Sequence, residues 1–90
     1  MRKEDLFRKN HIWGVEFDRY LLEHLEVLEQ IPENAEVYFL PEDDPEISQE
    51  NLKIAEVQKA VGRRVVLVRI GRLLSPRSRL QNVRLESLSL

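Results

Sequence analysis

Two short runs of strand-like residues, joined by one helical stretch, decide most of what this chain can become. Residues 35–40 are rich in Val, Tyr and Phe and lie between the turn residues Asn34 and Pro41. Residues 64–70 read Arg-Val-Val-Leu-Val-Arg-Ile and lie between Gly62 and Gly71. The run from Val65 to Val68 is apolar without alternation, the pattern of a strand buried on both faces. The loop Pro41-Glu42-Asp43-Asp44-Pro45 opens the helix between them. Asp44 fits the N-cap, because its carboxylate accepts an orphan amide, and Pro45 fits the first helical position, where a missing donor costs nothing. Glu46 suits the positive end of the dipole, and Ser48 is a rival cap. The helix runs to about Val61, with Gly62 as its C′ residue. Two strands joined this way run parallel with a right-handed crossover.

A longer helix precedes this unit, over residues 3–30. Leu6, Asn10, Trp13, Phe17, Tyr20, Leu21, His24 and Leu28 share one side at a 3.6-residue period, and most acids lie outside that stripe. Gly14 costs about 1 kcal/mol relative to Ala, and is expected to mark a bend or a close approach. The helix is expected to cover one face of the sheet. On the second helix, Ile47, Ile54, Val57 and Val61 form the main apolar edge. The expected core is Phe17, Leu21, Val37, Phe39, Ile54, Val61 and the run from Val65 to Val68. Trp13 and the apolar residues around the second helix exceed what one thin core can bury.

Charge is segregated along the chain. Residues 63–90 hold seven arginines, no lysine and one acid, for a net of +6, whereas residues 1–62 sum to −8. Ser75-Pro76 breaks any helix in the basic part, and residues 83–90 alternate briefly before slipping, so a third strand is allowed there. The expected organisation is one α/β domain over residues 1–74 and a basic tail over 75–90, docked or extended.

Ninety residues make one domain, and such a chain buries only about 60–65% of its unfolded surface. There is no cysteine, so neither disulfides nor a thiolate metal site add stability. No run reaches the ~20 apolar residues of a membrane span, and a soluble cytoplasmic protein is expected. One third of the residues are charged, a composition common in thermophile proteins.

Glu16-Phe17-Asp18-Arg19-Tyr20-Leu21-Leu22-Glu23-His24, Ile31-Pro32, the stretch from Val37 through Asp44-Pro45-Glu46, Asn51-Leu52, and Val65-Val66-Leu67-Val68 after Gly62 together resemble an uncharacterised family of small bacterial and archaeal α/β proteins, a domain of unknown function. The likeness covers about residues 6–70. It implies the βαβ arrangement and carries no activity with it; residues 75–90 stand outside it.

Several residues are candidates for chemistry. Glu42, Asp43, Asp44 and Glu46 follow the first strand at its carboxyl end, where open α/β sheets bind ligands. Asp43 and Asp44 are the candidates for Mg²⁺, against the plainer reading of a helix cap in a solvated loop. Asn51 and Gln58 fall on the apolar edge of the second helix, and buried amides need partners. Pairing within or between chains is the first reading of both, ligand binding the second. His11 and His24 lack neighbouring carboxylates at metal-binding spacing. Three glycines permit neither a dinucleotide fingerprint nor a phosphate loop. Arg72, Arg77, Arg79 and Arg84 are candidate ligand or partner contacts, and pairing with acidic surface of the same assembly is preferred to nucleic acid, because the tail has no aromatic for base stacking. The overall expectation is a non-catalytic, self-associating interaction or regulatory module, a homodimer or higher homo-oligomer without a cofactor or membrane attachment. A nucleic-acid-binding accessory protein is the alternative, and a Mg²⁺-dependent phosphate enzyme the third.

Overall fold

The computed structural model describes residues 2–88. In chain order the elements are α1 (Lys3–Glu23), the single-turn α2 (Leu25–Leu28), β1 (Glu36–Pro41), α3 (Pro45–Ala60) and β2 (Val65–Ile70). The class is mixed α/β, and β1 and β2 pair in parallel, Glu36 opposite Val65 and Pro41 opposite Ile70. The ladder is extended at both ends by Glu36 N–H donating to the Arg64 carbonyl (2.9 Å) and Glu42 N–H to the Ile70 carbonyl (2.7 Å). Main-chain groups alternate sides along a strand, so the even-numbered residues of β1 bond to β2 while Val37, Phe39 and Pro41 turn theirs outward. Pro41 was expected to stop the strand and instead completes it. Its nitrogen lies on the outer side, where no ladder bond is lost.

The ends of α3 follow the sequence closely. Asp44 Oδ1 accepts from Ile47 N–H at 3.3 Å, with Pro45 at the first helical position. At the other end Gly62 takes φ 91°, Gly62 N–H donates to the Lys59 carbonyl (3.0 Å) and Arg63 N–H to the Gln58 carbonyl (3.1 Å). That double closure is a Schellman motif, and glycine meets its left-handed residue without a Cβ penalty. Ser48, the rival cap, donates its hydroxyl to the Pro41 carbonyl at 2.8 Å.

The long first helix departs from expectation. It continues through Gly14 without a break, and a Cβ there would meet nothing within 4 Å, so that glycine marks no close approach. The break comes at His24 (φ −136°, ψ 68°). There the backbone N–H turns to the Leu21 carbonyl (3.2 Å), and the ring Nδ1 sits 2.9 Å from the Tyr20 carbonyl. A carbonyl only accepts, so Nδ1 carries the hydrogen. The imidazole also stacks on Tyr20 with ring centroids 3.9 Å apart. The side chain has thus taken the bond its own backbone would have made, and the helix ends.

The core is small and only partly the expected one. Trp13, Leu40, Ile47 and Ala55 are buried with Asn51 and Pro41. Phe17 reaches the sheet edge-on to Phe39, centroids 5.6 Å apart. Phe17, Leu21, Val37, Phe39, Val65, Val66 and Val68 are half-buried, but Ile54 (40% exposed), Val61 (67%) and Leu67 (40%) face solvent. The reason is the rotation of α3. It turns Ile47, Asn51 and Ala55, spaced four apart, inward, and packs chiefly against β1. Ile54 and Val61 lie round the helix from that line, and Leu67 belongs to the strand that α3 covers least. Trp13, expected to be surplus to the core, is part of it.

Residues 72–88 are exposed and adopt neither helix nor strand, so the third strand allowed over 83–90 is absent among the described residues; residues 89 and 90 lie outside them. No helix among the described residues is long and apolar enough to cross a membrane.

Candidate functional site

The candidate amide on α3 is fastened rather than free. Asn51 is almost fully buried; its Nδ2 donates to the Phe39 carbonyl (2.8 Å) and to Asn10 Oδ1 (2.9 Å), while Asn10 Nδ2 returns a bond to Asn51 Oδ1 (3.1 Å). Three bonds thus tie α1, α3 and β1 at one point. Asn10 was read on the inward stripe of α1, but its pairing with a residue 41 positions away had no local signal. Gln58 is half-buried near the end of α3, and its carbonyl belongs to the Schellman closure.

The acidic loop is a cap with a cation beside it. Lys9 Nζ lies 3.1 Å from Asp44 Oδ2, a second tie between α1 and the start of α3. The lysine bond, with the Ile47 amide, holds the Asp44 carboxyl below its usual range. Glu42 and Asp43 are exposed, and among the described residues no three His, Cys, Asp or Glu side chains converge as a metal site would need.

A second charged cluster sits at the opposite end of the strands. Arg63 donates to Glu36 Oε1 (2.8 Å) and the Tyr38 hydroxyl to Glu36 Oε2 (2.9 Å). The Arg63 bond, then the tyrosine, lowers the Glu36 carboxyl; burial, then Glu36, raises the Tyr38 phenol. The sequence signal was available, since residues two apart on a strand share a face.

What remains open is the far side of β2. A groove of about 780 Å³ runs between α1, α2 and β2, floored by Trp13, Phe17, Val66, Val68 and Ile70, with Glu16, Arg19 and Glu23 on its α1 rim, where Arg19 pairs with Glu16 at 3.0 Å. The two sheet edges differ. Along β1 the outward carbonyls of Phe39 and Pro41 are taken by Asn51 and Ser48. Along β2 the alternation turns the main-chain groups of Val65, Leu67 and Arg69 outward, and no backbone or side-chain hydrogen bond from the described residues reaches them.

The arginine tail does not close over this edge. Among the described residues, Arg72, Arg77, Arg79 and Arg84 make no ion pair within the chain; Arg63 and Arg64, before β2, bond Glu36 and the Glu33 carbonyl. The apolar tail residues are equally uncovered, Leu85 at 96% and Leu88 at 94% exposure. The result is an elongated chain of 72 × 33 × 19 Å. Its accessible surface is 8219 Å², against roughly 5,500 Å² for a compact monomer of this mass. Its radius of gyration is 18.5 Å, against about 12 Å for a compact domain of this length.

A parallel βαβ unit clasped by a long N-terminal helix defines a small mixed α/β protein. The chain belongs to the family of unknown function DUF5647, which matches residues 5–83. That match runs past residue 70 into the arginine-rich tail, further than the sequence resemblance extended. No curated protein and no solved structure matches the chain.

Proposed function

We propose that this protein is a non-catalytic, self-associating interaction module that works as a homodimer or higher homo-oligomer. One observation carries the reading: the single chain leaves about 2,700 Å² more surface in water than a compact monomer of its mass. That surplus is of the order that obligate homodimers bury. Its character supports association too, since it includes the stripe of Ile54, Val57 and Val61 on α3 and the leucines of the tail. The opposite net charges of residues 1–62 and 63–90, −8 and +6, favour packing of unlike parts. Light scattering at micromolar concentration tests it: a mass of two or more chains is expected, and a monomer mass refutes it.

A second reading, a nucleic-acid-binding accessory protein, is favoured by one feature, the four tail arginines without an intrachain ion pair. Binding of the full chain to duplex and single-stranded DNA or RNA across a salt series tests it. Affinity that falls steeply with salt, with a slope set by the phosphates neutralised, supports this second reading, and no binding at low salt removes it.

A further inference from the structure

Resting on the self-association reading, we infer that the docking site is the open edge of β2 with the groove beside it, and that its occupant is the tail of a second copy of this chain. Residues 80–88 supply the strand, and the two copies exchange tails.

The β2 edge is the freer of the two. Asn51 and Ser48 already hold the outward carbonyls of Phe39 and Pro41, which leaves Val37 and the Phe39 N–H open on β1, whereas Val65, Leu67 and Arg69 all present unbonded main-chain groups along β2. An extended segment added there gains a ladder of main-chain bonds, and its alternate side chains enter whatever lies beside the strand. What lies beside β2 is apolar, the floor formed by Phe17, Val66 and Val68.

The tail matches in composition and length. Val83 and Leu85 alternate with Arg84 and Glu86, so one face of a strand through them is apolar. Both apolar side chains are exposed in the isolated chain, Val83 at 63%. Six extended residues span about 20 Å, the length of β2 itself. The missing third strand follows from the same physics: a lone strand has no ladder partner, so residues 83–88 stay irregular until they meet an edge.

A second copy is favoured over the chain's own tail by the path of the backbone. Beyond Gly71 the chain passes Leu73, which lies with Lys9, Ile12 and Trp13 against the Asp43–Asp44 loop. It then continues outward and gives the molecule its 72 Å length. Exchange between two chains satisfies both edges with one two-fold axis.

The absence of cysteine makes the test clean. Full-length Leu67→Cys, whose side chain lies on the face of β2 away from the groove, is mixed with an affinity-tagged full-length partner carrying Leu80→Cys, Arg84→Cys or Glu86→Cys, on the tail-strand face opposite Val83 and Leu85, and oxidised at micromolar concentration. Val57→Cys on α3 replaces Leu67→Cys as control. Docking raises the effective concentration of the thiols to about the millimolar range, so disulfide between the two chain types should form about 10²–10³ times faster than in the control. The interchain bond at position 84 or 86 with Leu67→Cys supports the proposal. Interchain rates no higher than the control, or a disulfide formed only within a single chain carrying both cysteines, overturn it. Light scattering on the unmodified protein separates the two levels. An oligomer without the crosslink refutes tail exchange and leaves self-association standing, whereas a monomer refutes both.

Discussion

Asn51→Ala should be the most damaging single substitution on α3, and its cost can be worked from the contacts. The change removes three hydrogen bonds, two donated by Asn51 Nδ2 to Phe39 and Asn10 and one accepted from Asn10 Nδ2. Net contributions near 1 kcal/mol each put the loss at about 3 kcal/mol. The Phe39 carbonyl is left beside a buried position without a donor, which pushes the figure up; the half-buried Asn10 regains water, which pulls it back. A chain of this size has roughly 5–15 kcal/mol in total, so the variant sits near the edge of folding. At about 4–8 °C per kcal/mol, Tm should fall by roughly 12–24 °C. Asn51→Leu keeps most of the volume but not the donors and should cost about as much, which separates hydrogen bonding from packing. Urea unfolding of Asn51→Ala, Asn10→Ala and the double variant closes a cycle, and a coupling of about 1–2 kcal/mol is expected. Strict additivity, or a loss under about 1 kcal/mol for Asn51→Ala, refutes the idea that this amide pair fastens α1 to the βαβ unit.

At the acidic loop, Asp44→Ala should cost about 0.5–2 kcal/mol by urea denaturation, while Asp43→Ala should stay within about 0.5 kcal/mol of the parent. Micromolar Mg²⁺ binding by calorimetry that vanishes in Asp43→Ala contradicts the cap reading and revives the phosphate-enzyme alternative. The pH dependence has a definite sign. Glu36 and Asp44 titrate lower folded than unfolded, so their contribution is present above the unfolded values near 4 and is lost as pH falls through the folded ones. Tyr38 titrates higher when folded, so its share is present below about pH 10 and lost as pH rises beyond. Urea midpoints measured from pH 7 downwards should therefore decline below about pH 4, and less steeply in Lys9→Met, which lacks the cation that lowers Asp44.

The local rules read well in this chain and the non-local ones did not. Both strands, the Asp44 cap, Pro45 and the glycine closure of α3 were legible because each is written in neighbouring residues. The rotation of α3 was not. Apolar periodicity favoured Ile54 and Val61, but the helix turns inward the line that carries Asn51, because an amide can satisfy a strand carbonyl and a second helix together. Nothing in a 3.6-residue pattern shows the His24 ring displacing its own backbone donor. The acidic loop was legible as a cap, while Lys9, which joins it from α1, was not singled out. The open edge of β2 is a fact of topology, visible only once Asn51 and Ser48 are seen to occupy the edge of β1.

The sealing of β1 also bears on how far an assembly of these chains can grow. A parallel pair with two bare margins would be a seed for fibrils, each added molecule offering a fresh template to the next. Here the amide of Asn51 and the hydroxyl of Ser48 blunt one margin from within. Growth by strand addition is thereby favoured on one side, and under the tail-exchange proposal a second molecule arriving there would bring only its own favoured side with it. Two exchanged copies would consume both β2 edges, which disfavours propagation of a filament from the pair.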